Sequence, residues 1–558
     1  MDGQHSIHPV KRLILSLFLI CWSVADSSAG QWGNYSPIPF GQWMAFNAAT
    51  NGHQSVTILV DGDSITDDTG AAGKWLDYVI AYYAFRYNNV TQHWRDIASS
   101  GKAIIFAPTF AQEFGGGNYY NSSNDGLGKH DEYGAFFKAD VVMEFMTINN
   151  GTLTTNEYRT SLEYMLTNRW LYNGAMGTNV IPGLPVGRNA TNYNGASLVM
   201  LIGCNPQENT EGGFYGKILS YGRSLMNVSV ASAHPGTLSF DMFGFLRGPY
   251  SNNYAGVVDN ALGTDQYNLQ WWTPHSGPAG QLTYAWANLS QLLNELTGTN
   301  IVASWANVDA VNGVSAATNC TINILSHSST GVQFTRTNVY ESGYTFDGYG
   351  TIGSYFADTA YLNGHGVGDN ATGAIGMFPG IQTSNQVVFI VSNLSAGSYY
   401  FYVDGTNVGT YSAAQLQTGV NANTWTNGAY VDQGFNALNQ VRYMRGCWTT
   451  NGTGSELGGF KASSGGSSFG NVKTKGKLAQ QFQLGLVNDE LVNNPLVIAL
   501  ENLNRTNSTN SDFALQSATI PRIHTFTISL AGAPPAQSAI PLMISGSVSG
   551  KGTVTFSH

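Results

Sequence analysis

From about residue 50 to residue 300, short apolar runs alternate with segments whose apolar residues recur at helical spacing. "SVTILV" (55–60) is rich in β-branched residues and reads as a buried strand. "KWLDYVIAYYAFRY" (74–87) follows it with the period of a helix. "DVVMEFMTI" (140–148) and "TTNEYRTSLEYMLTNRW" (154–170) repeat the pair, as do "ASLVMLIG" (196–203) and "FYGKILSYGRSLMN" (214–227). "GQLTYAWANLSQLLNELTG" (280–298) closes the region as an amphipathic helix with a glycine stop. Strand–helix alternation of this kind predicts a parallel sheet covered by helices, with ligands at the carboxyl ends of its strands.

The pattern changes after about residue 300. "NCTINILSHSS" (319–329), "GVQFTRT" (331–337), "NQVVFIVSNL" (385–394) and "GSYYFYVDGTNVGTYS" (397–412) are short runs broken by Gly, Asn and Ser. They read as antiparallel strands, with "VDGTNVG" (403–409) as a hairpin. "GFNALNQVRYMRGC" (434–447) has helical spacing, and "GTGSELGGFKASSGGSSFGN" (452–471) the composition of a linker or long loop. A terminal portion follows, with helical "KLAQQFQLGLVNDELVNNPLVIALENL" (477–503) and then strand-like "IHTFTISLA" (523–531). The partition is a leader over 1–29, an α/β domain over 30–300, a β-rich, β-sandwich-like accessory domain over 301–447, a Gly/Ser-rich linker or loop over 448–476, and a mixed helix/strand portion over 477–558.

With 558 residues the chain exceeds one ordinary core, which supports more than one domain. Charged residues are only 10% of it, against about 25% in an average soluble protein. The surfaces are therefore polar but uncharged, as in many extracellular β-rich chains. A net charge of −10 supplies no basic field for a polyanion and argues against nucleic acid as a partner. Lys11 and Arg12 precede "LILSLFLICWSVA", and small residues follow up to Ala29, which is the make-up of a secretion signal. That run is short for a membrane span, and no later stretch reaches spanning length. A secreted, extracellular protein is the expectation. Cys21 lies in the leader, and of Cys204, Cys320 and Cys447 the pair Cys320–Cys447 is the expected bridge, since the two flank one domain. Asn-x-Ser/Thr sites such as Asn89, Asn227, Asn288 and Asn504 would suit glycosylation.

The candidate chemistry starts at "ILVDGDSITDD" (58–68). Ser64 could cap a helix, with Asp67 three residues on at its positive end, or it could be a nucleophile. It stands where the first strand ends, and Gly62 allows a tight turn there. Gly62-Asp63-Ser64 after an apolar strand resembles the first block of the SGNH (GDSL-type) hydrolase superfamily. Three further blocks follow in order. "DIASSGKA" (96–103) supplies Ser100-Gly101, with Asp96 where Asn is commoner; Thr147-Ile148-Asn149-Asn150 keeps the Asn of the third block; His275 has Gly280 five residues beyond it, as in the last.

The resemblance implies a flavodoxin-like three-layer αβα fold, no cofactor and no metal. It also implies a serine esterase in which His275 takes the proton of Ser64, with the Gly101 amide and the Asn149 side chain holding the oxyanion. The family's Asp three residues before the histidine is replaced by Trp272, so Asp265, with Asp259 next, is the candidate acid. The implied partner is an ester substrate, an acylated carbohydrate among the candidates. The alternative is a non-catalytic glycan-binding or structural surface protein that retains the fold, which Trp272 favours. The oligomeric state is left open.

Other motifs read more plainly. Gly466-Ser467-Ser468-Phe469-Gly470 matches a nucleophile elbow but sits in the Gly/Ser stretch with no strand before it. Gly348-Tyr349-Gly350-Thr351-Ile352-Gly353 matches a dinucleotide fingerprint without its strand and helix. His234 is the runner-up base, although "TLSFDMFGF" after it is not the helix the family has there. Cys204 reads as a buried or half-bridged cysteine and His130 as a solvated loop residue.

Overall fold

The computed structural model describes residues 40–41, 55–62, 66, 74–96, 140–145, 155–166, 198–202, 214–234, 237–242, 284–295, 304–338, 387–425, 427–446, 506 and 509–532. In the first part of the chain β1 (Ser55–Gly62), α1 (Lys74–Arg86), β2 (Thr91–Asp96), β3 (Val141–Phe145), α2 (Thr155–Met165), β4 (Leu198–Leu201), α3 (Phe214–Ala233) and β5 (Thr237–Ser239) follow one another. Every pairing among these strands is parallel, and their order is β2-β1-β3-β4-β5. That is the order of flavodoxin-like doubly wound sheets. The alternation read from the sequence is thus realised as a parallel α/β sheet.

Apolar runs explain the strands. β3 and β4 are buried at every position, as strands must be when both faces of a sheet are covered. Helix α1 is buried almost all round, from Trp75 to Phe85, the mark of a helix with packing on more than one side. The stretch at 284–292 is also buried rather than amphipathic, and it widens into a π-helical turn at Asn288–Leu292. Leu293 N–H reaches back to the Asn288 carbonyl at 2.9 Å. The Asn288 amide, itself buried, donates to the Tyr284 carbonyl at 2.8 Å. A side chain that bonds the preceding turn competes with the regular ladder and permits such a bulge.

A second body is built from two further sheets. One contains β6 (Ser304–Asp309), β7 (Val314–Thr318), β10 (Val387–Ser392) and β13 (Val420–Asn421), in the order β13-β10-β6-β7. The other contains β8 (Cys320–Ser328), β9 (Gly331–Asn338), β11 (Ser398–Val403), β12 (Thr406–Ser412) and β14 (Ile523–Leu530). It is antiparallel throughout, in the order β12-β11-β14-β9-β8. Burial alternates along β6, β9, β10 and β14, so each strand turns one face inward. The inward residues of both sheets share one core. Phe389 sits at its centre, 4.7 Å from the ring of Phe526 and 5.4 Å from that of Phe401. The anticipated hairpin is present between β11 and β12. Its turn residues Asp404 (φ +48°) and Gly405 (φ +84°) both take left-handed conformations, which a two-residue turn matching strand twist requires.

Neither core is made of one continuous stretch. Helix α4 (Ala429–Gly446) gives Tyr430 and Val431 to the second core, then Ala437, Leu438, Val441 and Met444 to the first. Helical residues 509–518 return to the first body. Asp512 there takes two hydrogen bonds from Arg95 (2.8 and 3.1 Å) and lies 2.6 Å from His93 Nδ1, both on β2. The chain then enters β14, between β11 and β9.

One covalent expectation is corrected. Cys320 is a free, buried thiol whose Sγ donates to the Trp305 carbonyl at 3.1 Å. It starts β8 with its sulfur turned onto the neighbouring sheet, so the bridge to Cys447 is not formed; Cys447, like Cys204, lies outside the described residues.

Candidate functional site

β1 lies between β2 and β3, so the chain leaves it toward one side and returns on the other. This is the topological switch point, where the connections at the carboxyl ends part and open a crevice. Gly62 is the last residue of β1 and pairs in register with Phe145, the last residue of β3. β2 ends nearby at Asp96, one strand over, after Val60 and Asp96 have paired. The serine-bearing turn, the Ser-Gly block and the Asn block therefore each depart from one of three adjacent strand ends, on the same edge of the sheet.

Gly62 is required there by space. A Cβ on it would meet the Thr66 side chain at 2.7–2.8 Å and the Phe145 carbonyl at 3.1 Å. Thr66, wholly buried, packs its side chain against Gly62. Before the turn, Asp61 and Glu144 occupy paired positions in β1 and β3, and both are buried. Asp61 accepts the Gly62 N–H at 2.9 Å.

A buried arginine bonds the Thr66 carbonyl. Arg445, in the last turn of α4, is fully buried. Its Nε and Nη2 donate to Asp96 Oδ2 at 2.9 and 2.7 Å, Nη1 donates to Asp77, and Nη2 also donates to the Thr66 carbonyl at 2.5 Å. Asp96, the acid at the position where the resembled family has Asn, is thus the partner of this guanidinium. Sequence reasoning missed Arg445 and Asp77. The available signal was two charges set in apolar segments, "KWLDYV" and "YMRGC", of a chain with few charges.

Another buried acid stands at the end of the 284–292 helical stretch. Glu295 accepts the Gly41 N–H at 2.7 Å and the Tyr87 hydroxyl at 2.9 Å. Burial is the main influence on it and pushes its carboxyl up to about 7, against these two hydrogen bonds and the nearby Arg86, which favour the charged form. Burial, followed by the Glu295 charge, raises the hydroxyls of Tyr82, Tyr83 and Tyr87 well above their usual value.

Ser64, Gly101, Asn149, Asp265 and His275 lie outside the described residues, as do Asp259, Trp272, His130 and the two glycine-rich decoy motifs. His234, the runner-up base, is described. It follows α3 and precedes β5, and its carbonyl accepts the Thr237 N–H. In a parallel sheet that is the amino edge, opposite the edge where β1 ends. Among the glycosylation sites, Asn227 and Asn288 are buried. Asn227 accepts from the Tyr158 hydroxyl at 2.8 Å and donates to the Ile202 carbonyl, so neither position is open to a glycan. Asn89 is exposed. Among the described residues no group of His, Cys, Asp and Glu could hold a metal ion. No helix among them is long and apolar enough to cross a membrane.

No protein-family model matches the chain, and no curated protein matches it in sequence. Among solved structures it is similar to BT4096, a gut microbial diltiazem-metabolizing enzyme. The TM-score is 0.54 at 13% identity, over 85% of this chain and 98% of that one. This is a likeness of fold. Below that level stand TesA, with a TM-score of 0.26 and 18% identity over 42% of this chain and 96% of that one, and a tail fiber protein from an E. coli phage. The last has a TM-score of 0.29 and 15% identity, over 54% of this chain and 36% of that one.

Proposed function

We propose that the chain is a secreted serine esterase of the SGNH type, carrying an appended two-sheet β-sandwich and acting on O-acyl groups of an extracellular substrate. The observation that supports this most is the placement of Gly62 at the switch point of a β2-β1-β3-β4-β5 sheet. Ser64 follows two residues later, and the Gly101 and Asn149 blocks leave the two neighbouring strand ends. Fold likeness to a metabolizing enzyme over most of both chains is in keeping with it.

In this reading Ser64 Oγ attacks the ester carbonyl carbon while His275 takes its proton, held in orientation by Asp265. The tetrahedral oxyanion rests on the Ser64 and Gly101 amides and the Asn149 side chain. Collapse breaks the bond to the alcohol oxygen, which leaves with the proton from His275. Water then attacks the acyl-enzyme with His275 as base again, returning free serine and a carboxylic acid.

The outward side of the antiparallel sheet supports a carbohydrate-bearing substrate. Tyr400 and Tyr402 lie there with ring centroids 6.1 Å apart, beside the half-exposed Thr525, Thr527 and Gln333. The same face would serve a non-catalytic glycan-binding protein, which is the second reading. Hydrolysis of a short-chain p-nitrophenyl ester by wild type, Ser64→Ala and His275→Ala separates the two. The esterase reading expects both variants to fall by at least about a thousandfold. Equal rates for wild type and Ser64→Ala would reject it at this site.

A further inference from the structure

We propose that Arg445 is a positioning residue of the Ser64 site: a guanidinium from 379 residues further along the chain that holds the Thr66 carbonyl, two residues after the serine. The proposal rests on the reading of Ser64 as nucleophile. The turn has two fixed ends. Gly62, two residues before Ser64, is locked to Phe145 by the sheet. Thr66, two residues after it, is buried, and its carbonyl accepts from Arg445 Nη2 at 2.5 Å.

The same guanidinium is itself held from two sides. Asp96 takes Nε and Nη2 at the end of β2, and Asp77 takes Nη1 in the first turn of α1. Both acids are buried. A planar fork with donors on three nitrogens can serve two carboxylates and a carbonyl at once; an ammonium on a flexible stem cannot hold that geometry. The clamp therefore ties the ends of β1 and β2 to α1. Those are the places from which the nucleophile and the Gly101 donor depart.

Arg445 reaches this place because α4 bridges the two bodies, leaving the second core at Tyr430 and Val431 and running along the first. In consequence the site is completed by a helix that follows the β-rich segments in the chain. Alignment of a nucleophile is demanding: a displacement of about 1 Å can lower the rate about a hundredfold.

The test uses the whole 558-residue chain and an alkyl fluorophosphonate probe, which labels an activated serine, beside p-nitrophenyl ester kinetics. Wild type labels and Ser64→Ala does not, which tests the underlying reading. Arg445→Lys keeps the charge but loses the fork. The triple variant Arg445→Met, Asp77→Asn, Asp96→Asn removes the clamp and its charges together, so neither of the two acids is left facing a lost guanidinium. For whichever of these melts cooperatively with wild-type circular dichroism, labelling and kcat are expected to fall about a hundredfold while KM stays within about threefold. Phe389→Ala, which loosens the second core alone, controls for general destabilisation and is expected to label at the wild-type rate. Wild-type labelling in a folded Arg445→Lys or triple variant would overturn the positioning role and leave the Ser64 reading standing. Absence of labelling in wild type would overturn both.

Discussion

Replacing Glu295 by Gln is expected to change how the stability of the protein depends on pH. The carboxyl is buried against Tyr82, Tyr83, Tyr87 and Arg86, and its value is raised from 4.5 to about 7, chiefly by burial. Between these two values the native state keeps a proton that the unfolded chain has released. Stability is therefore fully present below about pH 4.5 and is lost as pH rises through about 7. At about 1.4 kcal/mol per pH unit, the loss amounts to about 3 kcal/mol. Gln keeps an acceptor for the Gly41 N–H but cannot ionise. The assay is urea unfolding of wild type and Glu295→Gln at closely spaced pH values from about 4 to about 8. Wild type should lose about 3 kcal/mol relative to the variant across this range. The other titrating groups are common to both proteins and cancel in the difference. Parallel curves would refute the account, because they would mean that Glu295 ionises alike in both states. A wild type that gained on the variant as pH rose would reverse the sign and show the hydrogen bonds outweighing burial.

Two further outcomes check the packing of each body. Gly62→Ala should destabilise by about 1–3 kcal/mol, since its methyl would meet buried Thr66 and a backbone carbonyl of β3, and on the proposed function it should also lower ester hydrolysis. Thermal unfolding beside ester kinetics reads both. Phe389→Ala should cost about 3–5 kcal/mol, because its ring packs on Phe334, Phe401, Trp425 and Phe526, with the Arg336 guanidinium 4.4 Å from its centroid. Denaturant titration followed by tryptophan fluorescence measures it.

Periodicity alone carried much of this protein. Runs such as "SVTILV", "DVVMEFMTI" and "ASLVMLIG" became the strands of one parallel sheet because a segment apolar on both faces has few other places to go. "VDGTNVG" became a hairpin because Asp and Gly tolerate the left-handed backbone that its turn demands. The position of Gly62 at a strand end was equally legible. What no local pattern could carry was long-range pairing. That β1 would sit between β2 and β3, that "IHTFTISLA" would fill the middle of a sheet begun far earlier in the chain, and that "YMRGC" would send Arg445 to Asp96 and Thr66 were decided by tertiary contact. The reason is physical. A strand or helix declares itself through its own spacing, whereas a buried charge is tolerated only beside partners that folding brings from elsewhere, and Cys320 stays a thiol because folding turned its sulfur onto the Trp305 carbonyl.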